Sequence, residues 1–354
     1  MTKTHKTYLD VLRIIAIWFV IFNHTRDYGY TYFATAVNQV GYWPGLLISV
    51  VTKIAVPVFW MISGGLLLDK EEDMKTLFLK RILRFAIVLI VFSMFQYIWW
   101  ARNLSMPLSV YQFSGQLYGV GLTAAYWYLY AYIAYLLMLP MLRKLVKVMS
   151  DQMFLYMFAL YLIFGSLAPL LEFWVFKGEY TLNHDFMLTP ILCGNIVYPF
   201  LGYYIEKRRK LTYRRIIPIL MTISAAMIAL AAYTETYDSL YHNDWSTTNA
   251  DKFFNAAIFI PAITIYLIAK AIGDRHQNVP AWLAKLLQII GTSTFGVMLI
   301  ENRVSDYYEM HYLSGWISKY GHLAGAFHWV TVTTLTAMLI IVVLRLIPGV
   351  KKFI

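Results

Sequence analysis

Ten long apolar stretches, separated by short polar segments, run through this 354-residue chain. Each has roughly 17–25 residues, the length that a helix needs to cross the hydrocarbon core of a bilayer. Because 60% of the residues are hydrophobic and only 14% are charged, a water-soluble domain of this size would lack polar surface. The sequence therefore predicts an all-α polytopic transmembrane bundle that forms one domain over residues 1–354. The predicted spans are 8–26, 45–68, 81–100, 122–142, 152–176, 186–205, 215–234, 252–270, 281–301 and 322–346.

The basic residues predict the side of the membrane on which each loop lies. If the N-terminus is cytoplasmic, 22 of the 30 Lys and Arg residues fall in inner segments and 6 in outer segments. Cytoplasmic loops are enriched in Lys and Arg, and a wrong helix count would mix the two groups. We therefore predict about ten spans with both termini cytoplasmic. The net charge of +11 then reflects membrane topology and not a nucleic-acid partner.

The first apolar stretch and the single cysteine bear on how the chain is processed and on which kinds of site it can form. Lys3 and Lys6 precede that stretch as in a signal peptide, but no small-residue cleavage site follows. We interpret it as an uncleaved first helix. Cys193 has no second cysteine with which to form an intrachain disulfide or a cysteine metal cluster.

Arg13 and His24 are ionisable residues within the first span, where such residues are costly and are functional candidates. His24 is eleven positions after Arg13, which corresponds to a rotation of roughly 20° past three full turns and a rise of about 16 Å. One helix face therefore offers a cation near the inner leaflet and a proton-transfer group near the outer one. The alternative is a snorkelling arginine and an interfacial histidine.

Three further basic residues occur in or beside the second and third spans. Lys53 lies too deep to reach the interface easily, so it needs an anionic partner or a polar cavity. Arg81 and Arg84 are i,i+3 neighbours at the cytoplasmic end of the third span. Paired guanidinium groups suit a phosphorylated ligand, although a topology signal that touches lipid phosphates is an equal alternative.

These features resemble the acyltransferase 3 family of bacterial membrane O-acyltransferases. The arginine, ten residues and histidine from Arg13 to His24 match the family signature. The last family block usually ends in a histidine, where this chain has Glu301. Further similar segments follow in the expected order over nearly the whole chain: residues 9–13, 56–64, 127–130, 201–204 and 292–300, with Arg81 and Arg84.

The resemblance implies transfer of an acyl group, commonly acetyl, from acyl-CoA to a hydroxyl of a cell-envelope or lipid-linked glycan at the bacterial cell membrane. His24 would be the general base or a transient acyl carrier, with Glu301 or Asp27 orienting its ring. Arg13, Arg81 and Arg84 would hold the CoA phosphates, and Lys53 would stabilise the oxyanion of the donor. The implied substrate-binding residues are Asp10, Ser63, Trp127 and Tyr128. Acyl-CoA would be a substrate, with no tightly bound cofactor and no metal.

Two other classes of membrane protein are alternatives to this interpretation. A secondary transporter of a small polar or anionic solute also explains many spans and intramembrane charges, but the halves of the chain show no matching broken helices. A membrane sensor or scaffold would account for the spans, but it would not account for the Arg13–His24 arrangement. Metal-dependent hydrolysis is disfavoured, because the sequence has no His-Glu-x-x-His pattern. The acceptor, the acyl group and assembly into a homodimer stay open.

Overall fold

The computed structural model describes residues 5–105, 107–119, 121–183, 193–208, 213–245, 249–276 and 278–354. These residues are 83% helical and contain no strand, which confirms the all-α prediction. Apart from the four-residue helices Tyr32–Thr35 and Met74–Leu77, the first eight helices are α1 Thr7–Asn23, α2 Tyr42–Thr52, α3 Ala55–Leu67, α4 Leu83–Asn103, α5 Val110–Gly119, α6 Trp127–Val148, α7 Asp151–Leu160 and α8 Ala168–Phe176. The later ones are α9 Gly194–Tyr203, α10 Tyr213–His242, α11 Ala250–Ala257, α12 Phe259–Arg275, α13 Ala281–Tyr308, α14 Ser314–Tyr320 and α15 His322–Leu344.

Within the described residues, four π-helical segments interrupt or extend these helices. A π turn has i→i+5 hydrogen bonds, so it is wider than an α turn and changes the direction in which the following side chains project. Such turns are frequent at functional sites, and the first one here carries Arg81. The segments are Phe78–Ile82, Tyr161–Leu167, Tyr204–Arg208 and Glu309–Leu313.

Within the described ranges, six helical segments are long and apolar enough to cross a membrane, judged by length and composition. A seventh is the pair α11 and α12, which is bent by 44° at a short break. These seven correspond to the second, fourth, fifth and seventh to tenth predicted spans. The six unbent segments are Tyr42–Leu67, Trp127–Val148, Asp151–Phe176, Arg215–His242, Ala281–Tyr320 and His322–Leu344.

The first, third and sixth predicted spans are not among these seven. Helix α1 has 17 residues and α4 has 21. The sixth predicted span begins at residue 186, and its part before residue 193 lies outside the described residues. Its described part is the ten-residue helix α9. The total of ten spans and the cytoplasmic position of both termini therefore stay predictions.

Helix α1 lies at the centre of the bundle, packed against α3, α12, α13 and α15. The first half of α1 contributes to one apolar cluster and its second half to another, and partly buried Val20, Phe59 and Phe85 pack against both. The same three side chains line the large cavity of the protein. The cavity therefore lies where the two clusters meet, beside α1.

Helices α3 and α9 make the closest helix contact at this cavity. A Cβ atom added to Gly64 would lie 1.9 Å from the carbonyl oxygen of Pro199, and one added to Gly202 would lie 1.9 Å from that of Met61. Only glycine permits such an approach at both positions. Small residues commonly occupy helix interfaces in membranes, where close backbone packing replaces the hydrophobic effect.

Candidate active site

One cavity of about 800 Å³ brings together most of the candidate residues that the sequence singled out. Its wall is largely apolar, with a few polar groups, as is usual for small-molecule sites. Seven candidates line it: Arg13, His24, Lys53, Ser63, Arg81, Trp127 and Tyr128. The other four, Asp10, Asp27, Arg84 and Glu301, do not line it.

His24 forms a hydrogen bond with Glu301 across the boundary between α1 and α13. His24 caps the C-terminus of α1, and Nδ1 of His24 lies 2.8 Å from Oε1 of Glu301. Glu301 is fully buried, whereas 28% of the His24 side chain is exposed. Since a carboxylate can only accept, Nδ1 carries the proton and donates it to Glu301. Within the described part of the chain Nε2 has no hydrogen-bond partner, and His24 lines the cavity.

Asp27, the alternative partner for His24, lies elsewhere. It belongs to the 3₁₀ turn Arg26–Tyr28 and accepts a hydrogen bond of 2.7 Å from the Thr31 hydroxyl. The buried carboxylate that contacts His24 is therefore Glu301.

At the other end of α1, Asp10 holds Arg13. The Arg13 guanidinium donates to Asp10 through Nη1 at 2.8 Å, and Asp10 also pairs with His5. Asp10 is fully buried and does not line the cavity. Asp10 contacts Arg13 and His5 and positions the Arg13 guanidinium. Its contact with substrate stays a prediction.

Arg81 and Arg84 do not act as a pair. Arg81 lines the cavity and donates to Glu72 at 2.9 Å, whereas both Nε and Nη2 of Arg84 donate to the carbonyl of Phe353, at 3.2 and 3.1 Å. Residues i and i+3 share a face in an α-helix, but Arg81 belongs to the π turn that precedes α4. The wider turn separates the two directions, so only Arg81 reaches the cavity.

Lys53 has both the anionic partner and the polar cavity that its depth required. Its Nζ lies 2.8 Å from Oδ1 of Asp251, and the Tyr30 hydroxyl donates to the same oxygen at 2.5 Å. The ammonium also lies over the Tyr30 ring, 4.7 Å from its centroid. Asp251 and Tyr30 line the cavity and were missed from the sequence. No local spacing signals contacts between segments that are about two hundred residues apart.

For some other residues that line the cavity, helical spacing in the sequence does indicate their position. Tyr132 lies one helical turn after Tyr128, and Asn255 lies one turn after Asp251, so each shares the cavity-facing side of its neighbour. Asn23 lines the cavity beside His24, and its amide donates to the carbonyl of Thr52 at 3.2 Å. Thr52 in turn donates to Asn23 at 2.7 Å. These two hydrogen bonds hold His24 beside Lys53, because His24 directly follows Asn23 and Lys53 directly follows Thr52.

Among the described residues, no group of three or more His, Cys, Asp or Glu side chains is arranged to hold a metal ion. The polar groups of the cavity include an imidazole with a buried carboxylate partner, and arginine and lysine side chains that are each paired with an acid. These features define a helical membrane protein with a histidine–carboxylate pair beside an interior cavity.

A family model described as an acyltransferase domain matches residues 6–346, nearly the whole chain. The chain therefore belongs to the acyltransferase 3 family, as the sequence motifs predicted. Comparisons with curated proteins and with solved structures found no match.

Proposed function

We propose that this chain is a membrane O-acyltransferase that moves an acyl group, most simply acetyl, from cytoplasmic acyl-CoA to a hydroxyl of a cell-envelope or lipid-linked glycan in a bacterial cell membrane. The observation that carries the proposal is the His24–Glu301 pair in the wall of a cavity that also contains Arg13 and Arg81. Family membership supports the acyl-transfer chemistry.

The imidazole is oriented for general-base catalysis. With the proton fixed on Nδ1 by Glu301, the Nε2 lone pair accepts the proton of the acceptor hydroxyl. The hydroxyl oxygen attacks the thioester carbonyl, a C–O bond forms and the C–S bond breaks. The proton then passes from Nε2 to the departing thiolate, so the products are the O-acyl ester and free CoA. Glu301 stabilises the imidazolium between these two steps.

The donor would enter at the arginine end of the cavity. Arg13 and Arg81 offer guanidinium groups suited to phosphates, and Asp10 and Glu72 hold them in place. The eleven-position separation of Arg13 and His24 corresponds to a rise of about 16 Å along the helix, a suitable length for the pantetheine arm. Arg84 has no part in this site, since the Phe353 carbonyl holds it.

The test uses protein purified into nanodiscs with radiolabelled acetyl-CoA. We expect thioester hydrolysis or label transfer by the unaltered protein and a loss of about 10²–10⁴-fold in His24→Ala, the usual contribution of a general base. His311→Ala is the matched control, because His311 is exposed and contacts only its own helix and neighbouring rings. Retained turnover in His24→Ala would remove His24 from the mechanism. Solute flux into liposomes without CoA release would favour a transporter.

A further inference from the structure

Helix α11 presents a polar face to the His24 end of the cavity. Asp251 and Asn255, four residues apart, both line the cavity. On the opposite side of this helix Phe253, Phe254 and Ala257 are buried in the bundle. The apolar side therefore anchors the helix and fixes the direction in which its two polar side chains project.

The polar face retains unused hydrogen-bonding capacity. Lys53 and Tyr30 both contact Oδ1 of Asp251, so Oδ2 is without a partner in the described ranges. The Asn255 amide likewise makes no hydrogen bond to a described residue, and both side chains are exposed to the cavity. A free carboxylate oxygen and a free amide offer acceptors and donors to a ligand.

The charge at this face is already balanced. Lys53 is matched one to one by Asp251 at 2.8 Å. At the other end of the cavity Glu72 is shared by Lys70, Arg81 and Arg143, which leaves an excess of positive charge there to attract an anion. Trp127, which is half exposed, also lines the cavity and offers an aromatic surface. A neutral ligand with adjacent hydroxyls and an apolar ring face, as a sugar has, fits this combination.

The hydrogen bonds between Asn23 and Thr52 hold this face next to the base. His24 and Lys53 follow these two residues directly, and Lys53 is tied to Asp251. A sugar bound by Asp251 and Asn255 therefore has its hydroxyls close to the unpartnered Nε2 of His24.

We propose that Asp251, Asn255 and Trp127 form the acceptor subsite, which binds an uncharged sugar ring, and that Lys53 positions Asp251 for this purpose. The proposal rests on the acyl-transfer function proposed above and adds which residues select the acceptor. Lys53 then belongs to the acceptor side and not to the donor side, where the sequence had placed it.

The experiment measures CoA release from acetyl-CoA by the protein in nanodiscs, so that no sugar detergent competes. The acceptor probes are octyl glucoside, octyl galactoside and octyl N-acetylglucosaminide, with octanol as the ring-free comparison. We expect at least one glycoside to raise CoA release above the hydrolysis rate and octanol to leave it unchanged.

The variants Asn255→Ala and Asp251→Asn should raise the KM for that glycoside by about tenfold, as the loss of one or two hydrogen bonds does, without changing the KM for acetyl-CoA. Lys252→Ala is the matched control on the same helix, since Lys252 pairs with Glu172 and does not line the cavity. It should leave both KM values unchanged.

Two results would overturn the subsite: no glycoside exceeding octanol while His24-dependent hydrolysis persists, or unchanged glycoside KM values in both variants. A complete absence of His24-dependent CoA release is a different result, which contradicts the acyltransferase function itself.

Discussion

A buried carboxylate determines which nitrogen of His24 is free to act as a base. Glu301 is fully buried and accepts from Nδ1 at 2.8 Å, and its second oxygen has no partner among the described residues. Its charge is therefore available mainly to the imidazole. An environment of this kind holds one tautomer of the ring and stabilises its protonated form.

For Glu301→Gln we expect kcat to fall by about 10²-fold or more, because the amide can still contact the ring but no longer offsets the positive charge. The KM for acyl-CoA should not change, since Glu301 does not line the cavity. Glu309→Gln, in the π turn beyond α13, is the control. Steady-state kinetics with acetyl-CoA would contradict this role if kcat stayed at the value of the unaltered protein.

Glu72 joins two arginines from the loop between α3 and α4, which is predicted to be cytoplasmic. Burial raises its pKa, but hydrogen bonds from Arg81 and Arg143 outweigh that effect and leave the pKa below its ordinary value of 4.5. Because the folded pKa is lowered, the stability that Glu72 contributes is fully present above about pH 4.5 and is lost as the pH falls through the folded pKa.

We therefore expect Glu72→Gln to lower the free energy of unfolding by about 2 kcal/mol at neutral pH, the contribution of hydrogen bonds to charged groups. The difference from the unaltered protein should shrink as the pH falls below 4.5. Apparent Tm values measured in nanodiscs between pH 3.5 and pH 7.5 would check this. A difference that is independent of pH would show that charge is not involved.

At the scale of helices, the contact between α3 and α9 depends on missing side chains. Gly64→Ala would place a Cβ atom 1.9 Å from a backbone oxygen, which cannot move as a flexible side chain does. We expect the free energy of unfolding to fall by about 3 kcal/mol or more, since overpacking of this kind costs about 1–3 kcal/mol even where neighbours can adjust. The measurement is thermal unfolding in detergent.

Gly115→Ala is the matched control for that substitution. Gly115 lies in α5, and an added Cβ would meet no atom within 4 Å. Because alanine favours helix over glycine, the control should be neutral or slightly stabilising. Equal Tm values for the two variants would contradict the packing argument.

Periodicity and spacing predicted the part of the site that lies on continuous α-helix. Arg13 and His24 reach one cavity because α1 is regular between them, and Glu301 meets His24 because both lie at the same level of neighbouring helices. Arg84 was placed wrongly because a π turn precedes it and the Phe353 carbonyl captures it. The Lys53–Asp251 contact depends on tertiary packing, which local pattern does not encode.

Over the whole molecule, the ten-span topology is tested by thiol labelling. In a Cys193→Ser background, Lys147→Cys and Lys319→Cys introduce thiols at exposed positions on opposite predicted sides. We expect a membrane-impermeant maleimide to label Lys319→Cys in intact cells and Lys147→Cys only after permeabilisation. Equal labelling of both in intact cells would contradict the alternation of sides between α6 and α14.

The paired glycines of α3 and α9 also determine where the protein can change shape. Two backbones in direct contact at Gly64 and Gly202 leave no layer of side chains over which the helices can slide. The break between α11 and α12, bent by 44°, directly follows the helix that carries Asp251 and Asn255. We therefore expect cavity opening to move α11 against the closely packed α3 and α9.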